Sequence, residues 1–400
     1  MNRTIITALC VLMVMSMFGC ATKGGGYVSA NTDDAGTAKF YDAEANAEAW
    51  LVFDENDERH YFNDEWIFRK DQNFDFNEFI HSERSLKIRE WMERFKAYPD
   101  EMDPELLAYW EKAGLKKELH EVENENWGAW ATYTPMSAYK AGNAERKYPV
   151  MFVLHGGGQP IYICEAYGLM DVAAENEVIV VTLFGGPGHK YTLEMFPDVM
   201  RELIDNYPVD ESRVYCAGSS SGGMATWALG AVYTEVFAAI APHCNSMRDA
   251  SSGTAGRYVL PENSTFWREP LELPVINLFG TLEQAPNQPD DNLDGINAVL
   301  AFNGCKKIIP ENIKAGLASS DISNQLAGVL FDKTYIRNAA GMRYCFGEML
   351  NKDGIPMFRA VGQEGIGHWT SPMLPEYTWE YISQFSRDLD TGEIIYTPAE

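Results

Sequence analysis

The chain has 400 residues, of which 46% are hydrophobic and 12% aromatic. This composition excludes a disordered protein and allows a large core, with one main domain and an extension. The formal net charge of −26 at pH 7 repels phosphate backbones and anionic lipid surfaces, so we predict no nucleic-acid partner.

The first residues have the pattern of an export signal. Arg3 precedes an apolar stretch over residues 5–18, and a glycine then precedes Cys20. A small residue before cysteine is similar to the lipobox of bacterial lipoproteins, in which the cysteine is acylated. The pattern predicts a lipoprotein-type signal peptide over residues 1–20 and an extracellular or cell-surface protein, attached to the membrane through lipidated Cys20. Cleavage after Ala30 with free secretion, and an uncleaved anchor, are the alternatives.

Residues 21–115 are predicted to form an acidic N-terminal extension. Its first part, residues 21–38, is small and polar, which is typical of a mobile tether. The remainder is acidic and rich in aromatic residues, and apolar residues at helical spacing predict a helix over residues 85–98. We expect this region to pack over the main domain.

Residues 116–400 are predicted to form the catalytic domain, because strand-like and helix-like runs alternate along them. Continuous apolar runs are typical of strands covered on both faces. Apolar residues at helical spacing also predict a helix around residues 196–204. The succession predicts an α/β fold with a mostly parallel, doubly covered sheet. The predicted strands lie at residues 130–134, 150–154, 178–183, 214–217, 237–241, 274–279 and 357–361.

A Gly-Ser-Ser-Ser-Gly motif lies between the strand-like residues 214–217 and the next helix-like run. This spacing is typical of a nucleophile elbow, a sharp turn that lifts a serine oxygen clear of the sheet toward a base. The motif therefore indicates Ser220 as the nucleophile. Gly218 and Gly222 have no side chain to collide where the arms of the turn approach each other. The N–H of Ser221 is the first predicted donor to an oxyanion.

The base and the acid are expected after the serine, because elbow enzymes carry them in the order serine, acid, histidine. Two of the seven histidines follow Ser220. His243 comes directly after the next strand, which leaves no room for an acid on an intervening strand, so His368 is the predicted base. Glu283, just beyond the strand at 274–279, is the predicted acid. Three rival acids remain open: Asp290, Asp291 and Asp294.

The second oxyanion donor is expected in the His-Gly-Gly-Gly run after the strand at 150–154. Gly157 is the predicted donor, with Gly158 as the alternate, and His155 is expected to brace the loop. Residues 290–295 begin like a calcium loop but lack its final glutamate, so they predict a surface turn. We predict no metal and no organic cofactor.

Five cysteines remain after residues 1–20, so at least one is unpaired. The preferred disulfide joins Cys305 and Cys345, because both lie late in the chain near loops. Cys216 is expected to be a small apolar residue inside the strand before the elbow.

Together these segments resemble the polyhydroxybutyrate depolymerase-like esterases, an α/β-hydrolase group that includes feruloyl and acetylxylan esterases. That group usually has aspartate after His-Gly-Thr, whereas this chain has Glu283 after Gly-Thr-Leu. The segments that carry the resemblance are residues 154–158, 210–215, 218–224, 237–242, 280–281, 303–305 and 367–368.

The resemblance implies a serine carboxylesterase that acts through an acyl-enzyme on feruloyl or acetyl esters of polysaccharides, or on a related polyester. The expected partner is therefore a polysaccharide-linked ester substrate. A serine peptidase on the same fold is a second hypothesis, because acyl transfer to amides uses the same groups. A surface binding protein that kept the fold without turnover is a third.

Overall fold

A computed structural model of the protein describes residues 104–121, 129–140, 142–143, 145–156, 163–184, 189, 191–244, 271–281, 294–364 and 371–399. The predicted signal peptide and the predicted helix at 85–98 lie outside the described residues. The turn at 290–295 does so as well, except for its last two residues. Within the described segments, no helix is long and apolar enough to cross a membrane.

One large sheet organises the described part of the chain. Its strands, in chain order, are β1 (Leu115–Glu121), β2 (Ala129–Pro135), β3 (Tyr148–Leu154), β4 (Ile179–Leu183), β5 (Val209–Ser219), β6 (Ala239–His243), β7 (Val275–Gly280), β8 (Lys333–Ala339), β9 (Met342–Leu350) and β10 (Pro356–Gln363). Each of the seven predicted strands corresponds to one of them. A separate hairpin joins β11 (Phe385–Arg387) to β12 (Ile394–Tyr396).

The strands lie in the order β1-β2-β4-β3-β5-β6-β7-β10-β9-β8. The six central strands, from β4 to β10, pair in parallel, while both edges of the sheet are antiparallel. All seven residues of β3 are buried, as its apolar run predicts. This arrangement confirms the predicted α/β-hydrolase fold with its mostly parallel sheet.

Helices cover the parallel strands. The described helices are α1 (Pro104–Lys112), α2 (Ile163–Ala166), α3 (Leu169–Asn176), α4 (Thr192–Asn206), α5 (Ser221–Val232), α6 (Asp294–Phe302), α7 (Pro310–Leu317), α8 (Ile322–Ala327) and α9 (Leu374–Ile382), with a short 3₁₀ helix at Met136–Tyr139. The helix predicted around residues 196–204 is α4. Helix α5 contacts α4 on the sheet, and α9 contacts α3. Continuous burial along β3, β4, β6 and β7 shows that both faces of the sheet are covered, as the sequence predicts.

The first described helix, α1, packs against β1. Trp110 on this helix is fully buried, and its ring N–H donates to the carboxylate of Glu165 at 2.7 Å. Lys117 and Tyr133 also bond that carboxylate, so the buried charge is paired and hydrogen-bonded. Residues 104–112, which the sequence assigns to the extension, thus contribute to the core of the hydrolase sheet.

The predicted disulfide between Cys305 and Cys345 is wrong, since both residues are free buried cysteines. Cys345 lies within β9, whereas the thiol of Cys305 donates to the carbonyl of Met349 at 3.6 Å. Met349 is four residues further along that strand, about 13 Å away at roughly 3.3 Å per residue. A disulfide requires α-carbons within about 7 Å of each other, so the two thiols cannot join. Cys216 is buried in β5, as predicted.

Alkylation of the cysteines should therefore differ between folded and unfolded protein. Iodoacetamide is expected to leave Cys305 and Cys345 unmodified in the native protein, because both thiols are buried, and to modify both in guanidinium without reductant. Mass spectrometry of the digested peptides measures each cysteine. Recovery of a peptide pair that is released only by reductant would contradict the structure.

Candidate active site

Ser220 occupies the turn between β5 and α5. Its backbone has φ 58° and ψ −117°, a conformation in which non-glycine residues are strained. The structure holds this turn at both ends. The Ser220 N–H donates to the carbonyl of His243 at 3.0 Å, and the Ser220 carbonyl accepts from the N–H of Met224 at 3.1 Å. Strain at the predicted nucleophile, with its side chain partly exposed, is the geometry of a nucleophile elbow.

The two glycines of the motif are required by close backbone contacts. A Cβ atom on Gly218 would lie 2.4 Å from the carbonyl oxygen of Gly222. A Cβ on Gly222 would lie 2.3 Å from the carbonyl oxygen of Leu154, at the end of β3. Both distances are shorter than any side chain tolerates. The elbow is therefore packed directly against the strand that leads into the glycine-rich loop.

Ser221 begins helix α5 and is almost fully buried. The first N–H groups of a helix have no intrahelical acceptor, and the helix dipole favours negative charge there. The backbone N–H of Ser221 thus lies directly beside Ser220 at a helix N-terminus. This is the position that the sequence predicts for an oxyanion donor.

The glycine-rich loop is described only as far as Gly156, so Gly157 and Gly158 lie outside the described residues. His155 is 1% exposed, and its Nδ1 donates to the carbonyl of Gly156 at 2.7 Å. Burial lowers the pKa of His155 to about 4, so the ring is neutral near pH 7. A buried neutral ring in this position agrees with a bracing role.

His243 is also buried, and its ring contacts helix α9. Its Nε2 lies 2.9 Å from the hydroxyl of Thr378 on α9, and burial lowers the pKa of His243 to about 3. The carbonyl group of His243 contributes to the elbow, because it accepts the N–H of Ser220.

Acid should destabilise the protein partly through His243. The unfolded chain binds a proton at this ring below about pH 6.5, whereas the folded chain does so only near pH 3. Stability from the neutral ring is therefore complete above pH 6.5 and falls as the pH drops through that window, by about 1.4 kcal/mol per pH unit. Urea unfolding at several pH values gives the free energy of unfolding as a function of pH. The slope of this dependence should be smaller by about this amount in His243→Gln. Equal slopes in the variant and the wild type would contradict the burial argument.

The predicted base and acids lie mostly outside the described residues. This holds for His368, Glu283, Asp290 and Asp291, while Asp294 is the first residue of α6. Their preceding strands are described. β7 and β10 are parallel neighbours, and the N–H of Thr281 donates to the carbonyl of Gln363 at 3.1 Å. Strands β5, β7 and β10 run parallel, so their carboxyl ends lie on the same side of the sheet as Ser220, which follows β5.

Two site residues were not found from the sequence. Tyr167 and His189 are buried side chains whose polar atoms bond the backbone at the start of the glycine-rich loop. A lone tyrosine and a lone histidine in separate segments give no pattern that relates them to this loop. Among the described residues, no group of three or more His, Cys, Asp or Glu side chains is arranged to hold a metal ion.

The sequence profile of the prolyl oligopeptidase family matches residues 189–276, a segment that includes the elbow. Feruloyl esterase B from Neurospora crassa is 28% identical over 180 residues, which cover 40% of this chain and 59% of that protein. The match thus spans about three fifths of the length of this curated relative.

Two solved structures are also similar. The acetyl xylan esterase from Aspergillus awamori is 16% identical with a TM-score of 0.39, over 66% of this chain and 99% of that one. A mutant of the feruloyl esterase module from Clostridium thermocellum, complexed with sinapinate, is 15% identical with a TM-score of 0.40, over 68% and 87% of the two chains.

The strand order, the strained serine after β5 and the glycine-rich sequence after β3 are those of the α/β-hydrolase fold. The match to a feruloyl esterase agrees with the resemblance that the sequence motifs gave to feruloyl and acetylxylan esterases.

Proposed function

We propose that the protein is a serine carboxylesterase that hydrolyses feruloyl or acetyl esters on polysaccharides, or a related polyester. The observation that carries the proposal is the strained backbone of Ser220, which persists only because β6 and α5 hold it. Similarity to feruloyl esterase B supports the substrate class.

The proposed reaction has two acyl transfers. Ser220 Oγ attacks the ester carbonyl while the imidazole of His368 takes its proton, and Glu283 holds the ring and stabilises its charge. The N–H groups of Ser221 and Gly157 stabilise the oxyanion. The intermediate expels the alcohol, which takes the proton from His368. Water, deprotonated by His368, then attacks the acyl-enzyme, and Ser220 regains its proton as the acid leaves.

A fluorophosphonate probe tests the nucleophile. The probe should label wild-type protein on Ser220 and leave Ser220→Ala unlabelled. Ser212→Ala is the matched control, because its hydroxyl bonds Asp210 near the start of β5, and labelling should be unchanged. Absence of labelling in the folded wild type would contradict the proposal and favour a binding protein without turnover.

Three substrates then rank the chemistry: methyl ferulate, acetylated xylan and a peptide anilide. We expect turnover of an ester and none of the anilide. The match to the prolyl oligopeptidase family supports a serine peptidase as the second candidate. Faster turnover of the anilide than of either ester would favour that candidate.

Export and lipid attachment at Cys20 are part of the proposal and rest on the pattern of residues 3–20. Metabolic labelling with an alkyne fatty acid in a bacterial host should mark the wild-type protein but not Cys20→Ala. Equal labelling of the two proteins would contradict attachment at this cysteine.

A further inference from the structure

Two buried side chains hold the backbone where β3 passes into the glycine-rich loop. Nε2 of His189 lies 2.7 Å from the carbonyl oxygen of His155. The N–H of the same peptide group, on Gly156, donates to the hydroxyl of Tyr167 at 2.9 Å, so both polar atoms of this peptide group are held. His189 is fully buried and Tyr167 is 8% exposed, so water does not compete freely for either bond.

The hydrogen bonds fix the tautomer of His189. A carbonyl oxygen only accepts, so Nε2 of His189 carries the proton that binds His155. Nδ1 must then accept, and the hydroxyl of Thr192 lies 3.0 Å from it. Burial, together with the nearby His155 ring at 4.3 Å between centroids, lowers the pKa of His189 well below its usual value. The ring therefore stays neutral with its donor directed at the loop.

The backbone of His189 is strained, with φ 61°. Asparagine and glycine adopt this conformation at lower cost than histidine. An asparagine side chain is shorter, however, and its amide would not reach the His155 carbonyl from the same backbone position. His189 thus combines a strained backbone with a side-chain bond to the candidate active site. Backbone strain of this kind is concentrated at functional sites.

We propose that His189 and Tyr167 are positioning residues for the oxyanion hole. They fix the peptide group between His155 and Gly156, which precedes the one that carries the Gly157 N–H, a donor in the proposed function on which this inference rests. The elbow contacts the same backbone, because a Cβ on Gly222 would lie 2.6 Å from the His155 carbonyl oxygen. The two side chains and the elbow thus fix the position of the His155–Gly156 peptide group relative to the N-terminus of α5. A donor displaced by about 1 Å costs on the order of 10²-fold in rate.

A matched pair of variants isolates the His189 bond. In His189→Gln the amide nitrogen replaces Nε2 and still reaches His155. His189→Asn suits the strained backbone better but loses that bond. We expect kcat on methyl ferulate to fall about 10²-fold in the Asn variant, with KM within about twofold of wild type. In the Gln variant, kcat should stay within about fivefold of wild type.

Tyr167→Phe removes only a hydroxyl, and we expect kcat to fall about tenfold with little change in KM. Tyr381→Phe is its control, because the buried hydroxyl of Tyr381 donates to the carbonyl of Pro356 at 2.8 Å. Pro356 begins β10, at the opposite end of the parallel strands from the elbow. The control should lose similar thermal stability and keep its kcat. Equal kcat losses in Tyr167→Phe and Tyr381→Phe would overturn the inference.

Backbone hydrogen exchange tests the inference independently of catalytic activity. The peptide that contains residues 155–158 should exchange faster in His189→Asn than in wild type, and at the wild-type rate in His189→Gln. Unchanged exchange in His189→Asn would overturn the positioning role of His189, whatever the activity of the enzyme. Absence of fluorophosphonate labelling in the wild type would instead overturn the proposed function, so the two failures are distinguishable.

Discussion

Replacement of Ser220 by alanine is expected to lower kcat for ester hydrolysis by about 10⁴-fold or more. The acyl-enzyme cannot form without the Ser220 oxygen, and loss of a serine nucleophile in other hydrolases costs on the order of 10⁶-fold in kcat. The remaining rate would come from substrate binding and the oxyanion donors acting on water. Initial rates on methyl ferulate over a range of substrate concentrations measure both kcat and KM.

The same variant should remain folded. Ser220 is strained at φ 58°, and alanine meets the same backbone cost, so the melting temperature should change little. KM should also stay close to the wild-type value, since the side chain acts on the reacting carbonyl and not on the rest of the substrate. Residual kcat within tenfold of wild type, in protein free of contaminating esterase, would exclude Ser220 as the nucleophile.

Replacement of Gly222 by alanine is expected to lower kcat by about 10²-fold or more, through a change in backbone spacing. The new Cβ would lie 2.3 Å from the Leu154 carbonyl oxygen and 2.6 Å from that of His155. Both contacts are with backbone at the end of a buried strand, which cannot turn aside as a side chain does. The N-terminus of α5 must therefore move away from β3, which separates the two proposed oxyanion donors.

Overpacking of this kind also costs about 1–3 kcal/mol of stability. Gly230→Ala is the matched control, because Gly230 lies in the same helix. Its Cβ would meet the ends of two flexible side chains, Ile240 at 2.9 Å and Leu273 at 3.0 Å. Urea unfolding should show a smaller loss in the control, with kcat unchanged. A folded Gly222→Ala variant with wild-type kcat would show that the spacing between α5 and β3 does not govern the reaction.

The elbow could be predicted because its signal is local. Gly218 is required by a contact within the turn itself, with the Gly222 carbonyl, whereas the contacts of Gly222 with β3 became visible only in the structure. The positioning roles of Tyr167 and His189 could not be predicted in this way. Tyr167 bonds Gly156 across 11 residues of chain and His189 bonds His155 across 34, and single polar residues at such separations form no pattern.

The disulfide prediction failed for a related physical reason. Lateness in the chain and nearby loops say nothing about register, and the pairing of β9 with β10 places Cys345 opposite Gly362. Cys305 contacts the same strand about 13 Å away, at Met349. Distance between thiols is set by strand register, which depends on the whole sheet.

The sequence by itself determined seven of the strands, the mostly parallel class of the sheet and the identity of the strained serine, because apolar period and glycine spacing act between near neighbours. The tertiary structure alone decided the strand order, the antiparallel edges at β1 and β8, and the buried side chains that hold the loop after β3. Those features arise from packing between segments far apart in the chain, where the choice of neighbour depends on all the surfaces that must be buried together.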